Sequence, residues 1–249
     1  MLVITFDIDW APDFAIDAAA AQLRAAGVRA TWFVTHASPA VDRLRESPDL
    51  FELGIHPNFF AHSSHGDSLE EVLDHVKRLV PEARSIRSHG LYHSSRVLAA
   101  IARDDRLEVD SSIFLPGHPH LRPVPLRLGG HSITRIPYFW SEEYEWELER
   151  PNWSLDPIVA GEGLKVLNFH PIHVFLNSAD GAPYQALKAA APSLPDVDVA
   201  LAQSKINPGS GTRTLFDRAV DHLRREGTSR TLVDVARATN DRSPSASGT

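Results

Sequence analysis

Apolar and polar positions follow two periods along the chain, and the change from one to the other marks the elements. Residues 2–6 (L-V-I-T-F) are apolar on both faces, which predicts a buried strand. Residues 13–26 follow with helical spacing and stop at Gly27. Residues 29–35 predict a second strand, and Ser38-Pro39 opens a helix because proline suits a first turn. A third strand is expected over 50–56, followed by a long polar loop over 57–67. Ser68 and Glu71 have the spacing of a capping box. Behind them Leu69, Val72, Leu73, Val76, Leu79 and Val80 trace one apolar stripe. A short strand is expected at 85–87, a helix at 94–103, and strands over 107–114, 131–140 and 164–170. Helices at 214–226 and 231–239 close the chain, and the small polar residues of 240–249 predict a disordered tail. Residues 116–127 hold four prolines and little pattern, so they read as an insertion or a long loop.

Strands alternating with helices imply a parallel sheet covered by helices. Six or seven such units favour a closed α/β barrel over an open sheet, in a single domain spanning 1–239. The length of 249 residues allows this, since barrels commonly exceed the roughly 150 residues of a typical domain. A composition of 43% hydrophobic and 23% charged residues excludes a collagen, a coiled coil and a fully disordered chain. No run of about 18 apolar residues predicts a membrane-spanning helix. The N-terminus lacks a basic stretch followed by an apolar one, so a cytoplasmic protein is expected. The net charge of −7 argues against nucleic acid as a main partner. Oligomeric state is not readable from the sequence.

The chain has no cysteine and 13 histidines, so any transition-metal site must be built from imidazole and carboxylate. Polar residues gather where the predicted strands end: Asp7 and Asp9, His56, Arg87 and His89, and His170. In a parallel barrel these ends share one face, the face that carries active sites. Asp7 and Asp9 point to one side of an extended chain. The pair reads either as a metal ligand beside a proton acceptor, or as a loop pair with Asp9 capping the next helix. His56, His62 and His65 lie within ten residues, either as metal ligands or as surface histidines. His170 is a general acid or a satisfied core histidine, and His173 a supporting or structural neighbour. Arg87 is placed to keep Asp7 ionised. Trp10, Asn58 and Trp140 are candidate substrate contacts, although the tryptophans read first as core residues. The chain has no nucleophile elbow, phosphate-binding loop or H-E-x-x-H helix.

These residues resemble a known family. T-F-D-I-D-W (5–10), G-I-H-P-N (54–58), R-S-H-G (87–90) and L-N-F-H-P (167–171) are similar, in order and spacing, to the motifs of the NodB-like polysaccharide deacetylases, carbohydrate esterase family four. A-T-W-F-V (30–34) is similar to the family's second strand. An H-P-N-F loop marks a divergent branch associated with lipopolysaccharide biosynthesis. The resemblance implies a distorted (β/α)7 TIM-like barrel and a metal-dependent hydrolase that removes acetyl groups from N-acetylated sugars or glycoconjugates. It implies Asp7 as catalytic base, His170 as catalytic acid and Arg87 as support for the base. Asp9 and His56 become metal ligands, for one divalent ion, zinc foremost, with cobalt, nickel or iron also suited. The family's second metal histidine would fall at Phe60, so the third ligand is expected at His65 or else His62, with His62, His89 and His173 as alternative ligands or supporting residues behind the ligands. The proline-aromatic pair after the motif arginine is replaced by His89-Gly90. The late Asp-x-x-Asp-Trp motif has no clean counterpart, and Y-F-W-S-E-E (138–143) lies in its place. These departures leave open a catalytically inactive glycan- or partner-binding protein, or a hydrolase of another small amide or ester.

Overall fold

In the computed structural model, which describes residues 1–191 and 193–241, nine strands alternate with eleven helices. The strands are β1 (Leu2–Asp7), β2 (Ala30–Val34), β3 (Phe51–Ile55), β4 (Ser85–Ile86), β5 (Val109–Asp110), β6 (Val124–Leu128), β7 (His131–Arg135), β8 (Trp140–Ser141) and β9 (Lys165–Phe169). The helices are α1 (Asp13–Ala26), α2 (Pro39–Arg45), α3 (Leu69–Leu79), α4 (Ser95–Ala102), α5 (Glu142–Trp146), α6 (Asp156–Ala160), α7 (Pro171–Leu176), α8 (Ala182–Ala190), α9 (Val199–Gln203), α10 (Thr212–Glu226) and α11 (Leu232–Asn240). The apolar stripe and capping box predicted for α3 are both present, with Ser68 and Glu71 exchanging backbone hydrogen bonds. No helix among the described residues is long and apolar enough to cross a membrane.

The sheet runs β6-β7-β5-β4-β3-β2-β1-β9-β8, all parallel except β6 against β7. Its ends meet through one stretch of chain. Residues 131–138 bond to β5 and its continuation: Thr134 and Ile136 donate to Glu108 and Asp110, and Tyr138 to Ile113. One residue later Phe139 donates to Val166, and β8 pairs with β9. A single bent segment thus closes the ring, and β7 with β8 serves as one strand of seven. This is the expected distorted (β/α)7 barrel. Residues 116–127 were expected to be loop, yet 124–128 form β6, an exposed hairpin partner lying outside the ring. Its Pro125 is tolerated because β6 is an edge strand.

Strand alternation divides the apolar residues between two cores. Ile4, Phe6, Trp32, Leu53, Ile55, Leu167 and Phe169 face the helices in one cluster. Val3, Phe33, Val109, Tyr138 and Val166 form the second, inside the barrel, where α11 adds Leu232, Val233, Val235 and Ala236. Helix α11 plugs one end. Thr31 Oγ1 accepts from the Leu232 amide, and Glu52 Oε2 accepts from the Val233 amide and from Thr31 Oγ1. Gly54 makes room inside the barrel, because a Cβ there would lie 2.5 Å from Ser85 Oγ and 2.8 Å from the Phe33 ring. The opposite end of the barrel, where the parallel strands finish, carries the polar residues.

Candidate active site

The inward positions of β1, β3, β4 and β9 deliver Asp7, His56, Arg87 and His170 to one place. Arg87 is 1% exposed and forms the floor. Its guanidinium lies between the Phe33 and Tyr138 rings, 4.4 and 4.6 Å from their centroids. It donates to Asp7 Oδ1 at 2.9 Å, to Thr5 Oγ1, to Asn168 Oδ1 and to both oxygens of Ser111. Asn168 Nδ2 donates to the other Asp7 oxygen at 2.8 Å. Burial opposes ionisation of Asp7, but Arg87, then His56 and His170, outweigh it and hold the carboxyl below its usual range.

Just past β1 the chain turns sharply. Asp9 and Trp10 both take left-handed backbone, at φ 44° and 55°. Each costs on the order of 1–3 kcal/mol for a residue with a Cβ. The turn is held by the Trp10 amide donating to Thr35 Oγ1. It aims the Asp9 carboxylate at three histidines. Oδ1 lies 3.1 Å from His56 Nε2 and 3.1 Å from His89 Nδ1, and Oδ2 lies 3.4 Å from His170 Nε2. The His56 Nδ1 is 2.6 Å from the carbonyl of Arg87. A carbonyl only accepts, so His56 Nδ1 donates to it, which leaves Nε2 on the side of Asp9. Ligand atoms of Asp9, His56 and His89 all lie within 4.8 Å of one another.

His65, expected as the third ligand, is not in this group, and the reason is its hydrogen bonding. Its Nδ1 accepts from the Asn58 amide at 3.0 Å and its Nε2 donates to the Thr35 carbonyl at 2.8 Å. Both ring nitrogens are used. Burial pushes its pKa down to about 4, which keeps it neutral in this role. The second imidazole of the cluster is His89, on the 3-10 turn His89–Leu91 after β4. His62 is exposed on the loop. Trp10 backs the cluster, its ring 5.4 Å from both His65 and His89. Asn58 braces the loop, its side chain accepting from the Phe60 amide. Trp140, expected as a substrate contact, lies in the core: it is 3% exposed, packs on Trp153 and Phe169, and bonds Glu145 Oε2. His173 is buried behind His170, bonded to Ser178 and packed between Trp146 and Tyr184.

One residue of the site was not predicted. Glu142, fully buried at the start of α5, accepts from the His170 amide at 2.7 Å. The same oxygen lies 3.2 Å from His170 Nδ1. Burial alone would lower the His170 pKa, but Glu142 and Asp9 outweigh it and hold the imidazole well above its usual range. His170 therefore stands protonated between two carboxylates, with Nε2 facing the cleft. The position belongs to Y-F-W-S-E-E, but the sequence offered no way to choose between its two glutamates.

These groups open on a cleft of about 390 Å³, rimmed further by Tyr144, Phe114, Ser88 and Glu143. A carboxylate and two imidazoles with a second, ionised carboxylate alongside is a donor set suited to a divalent ion of the zinc, cobalt, nickel or iron type. A protonated imidazole on the far side supplies an acid.

Comparison with known proteins identifies the family and the fold. A family model described as WbmS-like, polysaccharide deacetylase, matches residues 4–188. A solved structure from Bordetella bronchiseptica, assigned as a polysaccharide deacetylase involved in O-antigen biosynthesis, is 32% identical with a TM-score of 0.73. The match covers 89% of this chain and 90% of that one. A polysaccharide deacetylase structure from Mycobacterium smegmatis is 17% identical, with TM-score 0.51 over 93% and 92% of the two chains, and is similar in fold. So is a 4-alpha-glucanotransferase from Thermococcus litoralis, 10% identical with TM-score 0.51, over 95% of this chain and 38% of that one. Comparison with curated protein sequences gives no match. With a family model over most of its length and a relative of 32% identity along nine-tenths of it, the chain belongs to the WbmS-like polysaccharide deacetylase family.

Proposed function

We propose that the protein is a metal-dependent hydrolase that removes an acetyl group from an N-acetylated sugar or glycoconjugate. The observation that carries this reading is the convergence of Asp7, Asp9, His56, His89 and His170 on one cleft at the strand ends. Asp9, His56 and His89 would hold the ion, zinc foremost. When bound, such an ion supplies a Lewis acid for the acetyl carbonyl and lowers the pKa of water, an effect worth several kcal/mol.

The chain's own residues account for the proton movements. Asp7 is kept ionised by Arg87 and Asn168 and takes the proton of the water that attacks the acetyl carbon. A C–O bond forms and the C–N bond breaks. His170, protonated between Glu142 and Asp9, delivers its proton to the departing nitrogen. The products are acetate and a free amine. Proton transfer from a positioned histidine contributes about 10²–10⁴ in rate. Asp7 is the base and Asp9 the ligand because Asp7 is already bonded on both oxygens to the barrel floor, whereas Asp9 faces only imidazoles.

The test is acetate release from a panel of N-acetylated nucleotide- and lipid-linked sugars, with and without added zinc. Zinc-dependent release that disappears in both Asp7→Asn and Asp9→Ala is expected. Release at the wild-type rate from metal-free protein would contradict the reading.

A further inference from the structure

Within Y-F-W-S-E-E, Trp140 goes to the core and Glu142 to His170, which leaves the first residue, Tyr138, without a role. Tyr138 is 5% exposed and lines the same cleft as Asp7, Asp9, His56, Asn168 and His170. Its position is fixed from the backbone outward. The Tyr138 amide donates to the Ile113 carbonyl, and its own carbonyl accepts from the Leu115 amide, so the residue is held in the segment that closes the barrel. The Phe114 ring stacks on one face, 4.5 Å away and 15° from parallel. The Arg87 guanidinium lies 4.6 Å from the ring centroid and needs the other face. With both faces covered, Tyr138 meets the cleft only along its edge.

That edge carries the hydroxyl, which has no hydrogen-bond partner among the described residues. The side-chain polar atoms that are both unpartnered and sealed from solvent belong to Trp32, Arg135, Glu142 and His170. The Tyr138 hydroxyl therefore faces open space, and the open space beside it is the cleft. Arg87, Asp7, His170 and Glu143 act on it by charge, while burial pushes its pKa above the ordinary value. It stands as a neutral phenol with one proton to share in a hydrogen bond.

In the proposed reaction the acetyl carbon lies between Asp7, which takes the proton of the attacking water, and His170, which meets the departing nitrogen. As the C–O bond forms, the carbonyl oxygen becomes an oxyanion. Asp7 repels that charge, and the His170 proton is committed to nitrogen. Every guanidinium nitrogen of Arg87 already donates to the protein. A fixed neutral donor is suited to the charge, since it needs no reorganisation when the charge appears. We propose that the Tyr138 hydroxyl donates a hydrogen bond to this oxyanion and is a further catalytic residue. The proposal rests on the deacetylase reading and adds to it a donor from the barrel wall. The phenol keeps its proton throughout, and the electron pair returns from the oxyanion to the carbonyl as the C–N bond breaks.

The experiment compares the zinc-loaded full chain with its Tyr138→Phe variant, which keeps both stacked faces and removes only the hydroxyl. Two probes give independent readouts. Hydrolysis of 4-nitrophenyl acetate, whose leaving group needs no acid, gives kcat and KM for attack on the acetyl carbon alone. Methylphosphonate, a tetrahedral anion, gives a binding constant by calorimetry without turnover. Tyr138→Phe should lower kcat about a hundredfold and leave KM within about twofold, because the bond forms only with the oxyanion. It should weaken methylphosphonate about tenfold, as expected for a lost hydrogen bond to a charged group. A wild-type kcat in the variant, a change confined to KM, or an unchanged methylphosphonate affinity would overturn the assignment, and so would a wild type that binds no methylphosphonate. If the wild type releases no 4-nitrophenol but binds methylphosphonate more tightly than the variant does, the hydrolase reading fails for this acetyl ester while the donor stands.

Discussion

Glu142 shows how one buried carboxylate sets the chemistry of its neighbour. It receives the His170 amide and faces His170 Nδ1, and it holds the imidazole protonated against the penalty of burial. A general acid must be protonated to work, so activity should fall as pH rises through the His170 pKa. Glu142→Gln keeps the shape and removes the charge. The alkaline limb of the kcat/KM profile should then move to lower pH, and the rate at neutral pH should drop by about tenfold or more. A pH–rate profile of the two proteins checks this; an unmoved limb would show that another group carries the acid function. At this scale the sequence was informative wherever a functional group ends a strand. Asp7, His56, Arg87 and His170 are legible because each ends or directly follows a strand, which fixes its height and face; Asp9 was expected on the same extended chain as Asp7, but the left-handed turn after β1 is what aims it. Asp9 and His56, 47 positions apart in the chain, have Oδ1 and Nε2 3.1 Å apart. His89, His65 and Glu142 were not legible in the same way, because each sits on a turn, a loop or a helix start whose direction only the packed structure decides. Trp140 was misplaced for a related reason: the pattern cannot say which side of β8 faces the core.

The loop between β3 and α3 is an element without regular structure, and His65 is what orders it. Its two hydrogen bonds require the neutral ring, and burial pushes its folded pKa down to about 4, below the ordinary 6.5. Between those values the unfolded chain takes up a proton that the folded one refuses. The stability it contributes is therefore complete above pH 6.5 and is lost as pH falls toward 4. Urea unfolding of metal-free protein should show a midpoint that declines over this window, and His65→Gln should remove that part of the decline. An identical pH dependence in the variant would contradict the assignment. His65→Gln should also retain wild-type metal stoichiometry, whereas His89→Ala should lose it; elemental analysis distinguishes them. Long, strongly periodic elements such as α1, α3 and α10 were readable from spacing alone. The short helices α5, α6, α7, α8 and α9 were not, since so few residues carry little period, whereas the equally short α2 was marked by its Ser-Pro start. Strand β6 was hidden by its Pro125 and the three prolines just before it; an outer hairpin edge accepts such a proline and an inner strand would not.

The molecule as a whole is a ring of seven parallel positions, sealed at one end by α11 and polar at the other. That alternation of strand and helix was legible in the sequence. The closing segment, in which residues 131–141 pass from β5 to β9, was legible only as one long strand, because hydrogen-bond partners leave no mark on composition. Residues 242–249 of the tail expected to be disordered lie outside the described residues, and Asn240 ends α11. The proposed cation would draw together groups from β1, β3 and the turn after β4, so its binding should stabilise the whole fold. Zinc at about 100 times its dissociation constant should add about 2.7 kcal/mol. For a domain of this size that is a rise in Tm of roughly 5–10 °C. Thermal unfolding with and without zinc measures it, and Asp9→Ala should abolish the rise.

The central claim is that Asp9, His56 and His89 converge on one divalent ion with Asp7 free beside it. Anomalous diffraction at the zinc edge from crystals of zinc-loaded protein tests it most directly. The account predicts a single strong peak within about 2.0–2.2 Å of an Asp9 oxygen, His56 Nε2 and His89 Nδ1. A peak coordinated by His65 instead, or no peak in this cleft, would contradict it.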